Sequence, residues 1–251
     1  MSLTLALAVT ALVDDAATAF TREGEAALLT FHEAVQVVLA RGGGAAQIRE
    51  NLNAPATALW RTLAGAWFTQ VNAALQVGHD RLGVPDPALL SEQEALDFFA
   101  GAAYALVNAA LLSARVGTRT DTQDVSAVLA AWDRQYERGG AFVALRGTMR
   151  GATPGTLTTL VDASLIDAAR SQGGWIFGAY NPLDERTGDL DRRLVLNRGE
   201  AIVTARGRTV RSIPGLTGKY LPDQAWVPGP PRLGGDTHDG CRCLLIPERA
   251  A

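Results

Sequence analysis

Through its first 240 residues the chain contains no cysteine, and its only two, Cys241 and Cys243, stand one residue apart in the tail. A fold stapled by disulfides is therefore excluded, as is a site built from four thiolates. Lysine is nearly missing as well, since Lys219 is the single lysine among 23 basic residues. With this much alanine and glycine, the arginine bias reads first as a GC-rich coding preference and only second as selection for phosphate forks. Charge is sparse, at 20% of residues, and the net of −3 gives no global attraction to nucleic acid or anionic membranes. Apolar residues reach 47%, which is the composition of a globular chain.

Long apolar runs are also scarce. FFAGAAYALVNAALLSA, residues 98–114, is apolar apart from Asn108 and Ser113. It falls short of the roughly 18–20 residues that span a bilayer and reads as a buried core helix. The opening MSLTLALAVTALVDD has no basic start, and Asp14 and Asp15 stand where a signal-peptide cleavage site belongs, so it reads as an ordinary helix. The expectation is a soluble, intracellular protein with no membrane partner. Neither a Walker-type glycine loop, nor HExxH, nor GxSxG is present, and no repeat of fixed period occurs.

What is present falls into two regions. Up to about residue 172 the apolar spacing is helical. Leu28, Phe31, Val35 and Val38 share one face, and the glycines at 42–44 end that helix. After Pro55, Trp60, Leu63, Trp67, Val71 and Ala74 make a second stripe. Ser91 and Glu94 form a capping box ahead of the apolar helix, and Val125–Tyr136 and Thr156–Ala169 read as two more helices, separated by a glycine-bearing stretch. Past Gly173-Gly174 the pattern alternates. Residues 192–212 read as a β-hairpin around Asn197-Arg198-Gly199, followed by a segment dense in proline and glycine and a short strand around CRCLLIP. The fold class expected is α+β: a mainly helical N-terminal body, 1–152, and a small hairpin-containing α+β cap, 153–251.

Charge divides along the same line. Asp184, Glu185, Asp189 and Asp191 make an acidic cluster relieved only by Arg186. Arg192, Arg193, Arg198, Arg206, Arg208, Arg211 and Lys219 then face one acid, Glu200, a net of +6 between residues 192 and 219. Such a stretch suits contact with DNA or with an acidic protein partner. A solvated edge that resists aggregation has the same composition.

The tail, GGDTHDGCRCLLIPERAA, concentrates the reactive side chains. Asp239-Gly240 is a turn dipeptide that brings His238 towards Cys241, and Cys241 and Cys243 share one face of an extended strand. Three readings stay open. His238, Cys241 and Cys243 can form part of a zinc site, completed by a carboxylate such as Asp184 or by water. A strained Cys241–Cys243 disulfide would span Cα atoms roughly 6.6 Å apart, near the upper limit. The third reading is two small buried cysteines beside a histidine that supports the turn. A Cys241–His238 nucleophile and base would lack room for an orienting group and a cleft. A non-enzymatic protein is therefore expected, with a zinc-dependent enzyme or toxin-like effector centred on these three residues as the alternative.

This ending resembles that of the phage Mu F-like family of minor head (head morphogenesis) proteins, whose closing motif reads Pro-x-His-Pro-Asn-Cys-Arg-Cys. His238, Cys241, Arg242 and Cys243 match it in position, with Asp239-Gly240 in place of Pro-Asn. Upstream, Trp175 and Asp184-Glu185-Arg186 are similar to the family's aromatic-led Asp-x-Arg segment, but no cysteine or histidine pair follows. The likeness extends over about residues 156–247. It implies a structural component of a tailed phage or prophage, located in the head or portal region of the virion and in the host cytoplasm during assembly. The partners implied are the portal protein, capsid components and packaged DNA. Arg242 would join the basic face or pin the cap through Asp184.

Overall fold

The computed structural model of the chain describes residues 3–85, 87–116, 124–180, 202–203, 209–210 and 244–249. They are mostly helical. Helix α1 runs Leu3–Arg41, α2 Ala45–Leu82, α3 Glu92–Ala114, α4 Val125–Arg138, α5 Gly140–Gly147 and α6 Thr153–Gln172. Strand β1 is Trp175–Tyr180, β2 Ile202–Val203, β3 Thr209–Val210 and β4 Leu244–Arg249.

The stripe expected on α1 is realised, with Leu28, Phe31, Val35 and Val38 all buried. The helix stops at Arg41 because Gly42, at φ 70°, takes a left-handed conformation that side-chain-bearing residues avoid. Helix α2 differs from the sequence reading, because it starts well before Pro55 and carries that proline inside it. A proline there removes one main-chain donor and costs about 3 kcal/mol in a helix interior. Ile48 and Leu52 before it and Leu59, Leu63 and Trp67 after it are all buried, so packing on both sides holds the helix through the defect. At α3 the capping box forms as expected: the Ser91 hydroxyl accepts from the Glu94 N–H, and the Glu94 carboxylate accepts from the Ser91 N–H at 2.9 Å. The Ser91 hydroxyl also donates to the Glu94 carboxylate, and this bond together with that from the Ser91 N–H holds the Glu94 carboxyl below its ordinary pKa. Among the described residues α3 is the helix whose length and composition would suffice to cross a membrane. One face of it, including Ala95, Phe99, Leu106 and Ala110, is buried in the protein.

The glycine-bearing stretch between α4 and α6 is itself helical, forming α5 and then a π-helical turn, Thr148–Ala152. Phe142, Leu145 and Met149 recur at helical spacing and are buried, which outweighs the poor helix propensity of the glycines. In the π turn the Met149 carbonyl accepts a hydrogen bond from the Thr21 hydroxyl at 2.9 Å.

The backbone divides into two compact units. One consists of residues 19–69 and 90–150. Its core holds Phe20 edge-on to Trp67, with centroids 5.2 Å apart, and Phe20 against Phe99 at 5.7 Å. A second aromatic group joins Phe31, Trp132 and Phe142, with Trp132 fully buried. Burying a side chain of that size contributes about 4–6 kcal/mol of transfer free energy before ordering costs. The other unit consists of residues 1–18, 70–89 and 151–251. In it α6 is buried over most of its length, and two of its threonines are satisfied locally: Thr158 and Thr159 donate to the Pro154 and Gly155 carbonyls.

Strands β1 and β4 pair antiparallel, with Trp175 opposite Arg249 and Tyr180 opposite Leu244. Trp175, Phe177, Leu244, Leu245 and Ile246 are buried. Strands β2 and β3 form a short antiparallel ladder, Ile202 opposite Val210. The Asn197-Arg198-Gly199 turn expected from the sequence lies outside the described residues.

Candidate functional site

The strand around CRCLLIP expected from the sequence is β4, and it begins at Leu244, the residue after Cys243. Two contacts fix its place. Its ladder with β1 supplies main-chain bonds, and the buried Asp162 of α6 accepts the Leu245 N–H at Oδ1, 2.7 Å away. A charged group buried in a helix is costly unless it is bonded, so an aspartate at this position ties the closing strand to α6. Ser164, two residues further along α6, accepts from the Ala88 N–H at 3.2 Å. Arg249 at the far end of β4 lies over the Trp175 ring, 4.1 Å from its centroid. Because Tyr180 faces Leu244, the chain leaves β1 and returns to β4 at the same end of the ladder.

The residues that the sequence assigns to metal, His238, Cys241, Cys243 and Asp184, lie outside the described residues. So do Arg192, Arg193, Arg198, Arg206, Arg208, Arg211 and Arg242. Among the described residues no three of His, Cys, Asp and Glu converge as a metal would require.

The other two histidines are built into packing. His79 is fully buried, and its Nδ1 lies 3.1 Å from the Val84 carbonyl, which makes Nδ1–H the donor. The Val84 N–H in turn donates to the His79 carbonyl, so the pair closes the C-terminus of α2. Burial pushes the His79 pKa down, against hydrogen bonds to Val84 and Pro85. His32 is stacked on Tyr136, with centroids 4.1 Å apart, and on Trp132 at 5.7 Å. Its Nε2 lies 3.4 Å from Asp133, whose carboxylate also accepts from Gln36 at 2.9 Å. Burial lowers the His32 pKa and the Asp133 charge opposes it. The imidazole is covered by two rings while the Asp133 carboxylate is half-exposed, so the pair serves as a link at the edge of the packed aromatic group.

A further charged group spans the same unit. Glu25 accepts from Arg146 Nε at 3.1 Å and also pairs with Arg150. Arg146 donates to the Tyr136 carbonyl at 2.6 Å and lies 4.5 Å from the Tyr136 ring centroid. Its guanidinium thus links α1, α4 and α5.

Sequence reading did not single out Asp162. The signal was one acid inside the apolar run TLVDASLI, where a residue facing solvent and a residue buried against a partner look alike. Compared with family models, curated proteins and solved structures, the chain matches none of them.

Proposed function

We propose that this chain is a non-enzymatic minor head protein of a tailed phage or prophage, acting with the portal during head assembly. The observation that carries the proposal is the ending. His238-x-x-Cys241-Arg242-Cys243 runs directly into a buried closing strand that pairs with β1 and is held by Asp162 of α6. The strand that follows the motif in sequence is a rigid element, which is what a docking surface is built on.

In this reading the helical body, 1–152, sets shape and contacts between copies, and the α+β cap, 153–251, docks. The basic stretch at 192–219 meets acidic groups on the portal or phosphates of packaged DNA, and Arg242 adds to that face. Each phosphate contact releases counterions, so association weakens as salt rises. The test is binding of the full chain to portal protein and to duplex DNA across a salt series. Replacing Arg206, Arg208 and Arg211 with glutamine is expected to weaken binding and flatten the salt dependence. Unchanged binding to both partners would remove the hairpin from the interface.

A further inference from the structure

Between α2 and α3 lies a groove of about 310 Å³. On one wall Arg49, Asn53, Thr57 and Trp60 follow one another at helical spacing, and Ala103 and Tyr104 stand on the other. Three properties of these walls point to a ligand. The first is the Trp60 indole, whose Nε1 donates to the Leu96 carbonyl at 2.6 Å. That bond fixes the ring at the groove wall before anything binds, which removes an ordering cost. The second is Tyr104, 66% exposed although it sits on α3, the most apolar of the described helices. The small Ala56, Ala100 and Ala103 leave space between the two rings' helices. The third is charge. Arg49 has no ion-pair partner among the described residues, and no carboxylate lines the groove; Glu50 lines the adjoining hollow, which shares Arg49 and Asn53 with it. An apolar slot with two aromatic rings, one amide and one uncompensated guanidinium is the composition of a small-molecule site rather than of a solvated helix face.

From these walls we infer that the groove binds a small amphipathic carboxylate, with its apolar body between Trp60 and Tyr104 and its carboxylate at Arg49 and Asn53. The guanidinium fork matches two carboxylate oxygens, and the Asn53 amide can donate a further hydrogen bond. The volume limits the ligand to a single ring or a short branched chain. This site is independent of the tail and of the head-assembly reading.

The experiment uses the full chain, 4-phenylbutyrate as probe, and the uncharged isostere 4-phenylbutan-1-ol. Titration calorimetry and tryptophan fluorescence are expected to show one saturable site, with Kd on the order of 0.1–1 mM for the acid. Arg49→Gln, at an exposed position, is expected to weaken the acid about tenfold and leave the alcohol unchanged, the size of one charge-assisted hydrogen bond. Ala103→Leu fills the slot and is expected to abolish binding of both, and Trp60→Phe to remove the fluorescence response, with circular dichroism unaltered. Absence of saturable binding up to about 10 mM overturns the inference. So does equal loss of acid and alcohol in Arg49→Gln, or binding that survives Ala103→Leu. A concentration-dependent dimer that Ala103→Leu disperses would assign the groove to a second copy and likewise overturn it.

Discussion

Leu245 donates its main-chain N–H to the buried carboxylate of Asp162, joining residues 83 positions apart in sequence at 2.7 Å. Replacing Asp162 with alanine leaves that N–H buried without its acceptor, a loss of about 1–3 kcal/mol. Asparagine keeps an oxygen in place and is expected to lose less. Urea midpoints at constant slope measure both. Equal losses in the two variants would mean that the bond to Leu245 is not what the aspartate contributes.

The buried histidines give stability a pH dependence. Burial holds the pKa of both His79 and His32 below 6.5 in the folded chain. The unfolded chain then binds more protons as acid is added, so folding is favoured above about pH 6.5 and stability falls as pH drops through the folded-state values. His79→Asn retains a donor for the Val84 carbonyl without a titrating group. Thermal unfolding between pH 7.5 and 5.5 is expected to show a smaller drop in Tm for this variant than for the parent chain. An identical drop would show that His79 does not carry the effect.

A close helix contact supplies a test of the π turn. A Cβ on Gly24 would fall inside van der Waals contact of the Met149 sulfur. Alanine gains about 1 kcal/mol of helix propensity over glycine, whereas overpacking costs typically 1–3 kcal/mol. Gly24→Ala is therefore expected to destabilise in spite of its better propensity. Adding Met149→Ala should recover part of that loss in a double-mutant cycle, since the two sites share one space. Additive losses would place the strain elsewhere.

How much of this was legible in the sequence depends on the range of the forces involved. The stripe from Leu28 to Val38 and the Ser91–Glu94 box are local, and both form as read. Pro55 and the glycines from 139 to 147 mislead, because each weakens a helix locally and only the burial of Leu52, Leu59, Phe142 and Leu145 reveals what outweighs it. Asp162 and Leu245 lie farther apart than any periodicity reaches. The grouping of residues 1–18 with 70–89 and 151–251 is likewise a product of packing between distant segments. At the site itself, β4 was legible as a strand, and the candidate ligands and arginines of 184–243 fall outside the described residues.

For the tail, the histidine and two cysteines without an upstream ligand pair favour a structural cluster over a closed zinc centre. Elemental analysis of protein purified without chelator is expected to find well under one equivalent of zinc. One equivalent, lost in Cys241→Ser, would establish a metal site and restore the zinc-dependent alternative.

The role in head assembly is tested most directly by the particles themselves. Under the proposed function, the tagged full chain is produced together with the portal and capsid proteins of the phage or prophage it would belong to, and heads are separated on a density gradient. Quantitative mass spectrometry is expected to find the chain in the head fraction, in far fewer copies than the capsid protein. Replacing Arg206, Arg208 and Arg211 with glutamine in the full chain is expected to leave its helical content unchanged and to lower its share of that fraction severalfold. Heads that form without the chain in them would contradict the proposed function, and equal uptake of the triple variant would contradict docking through the basic stretch.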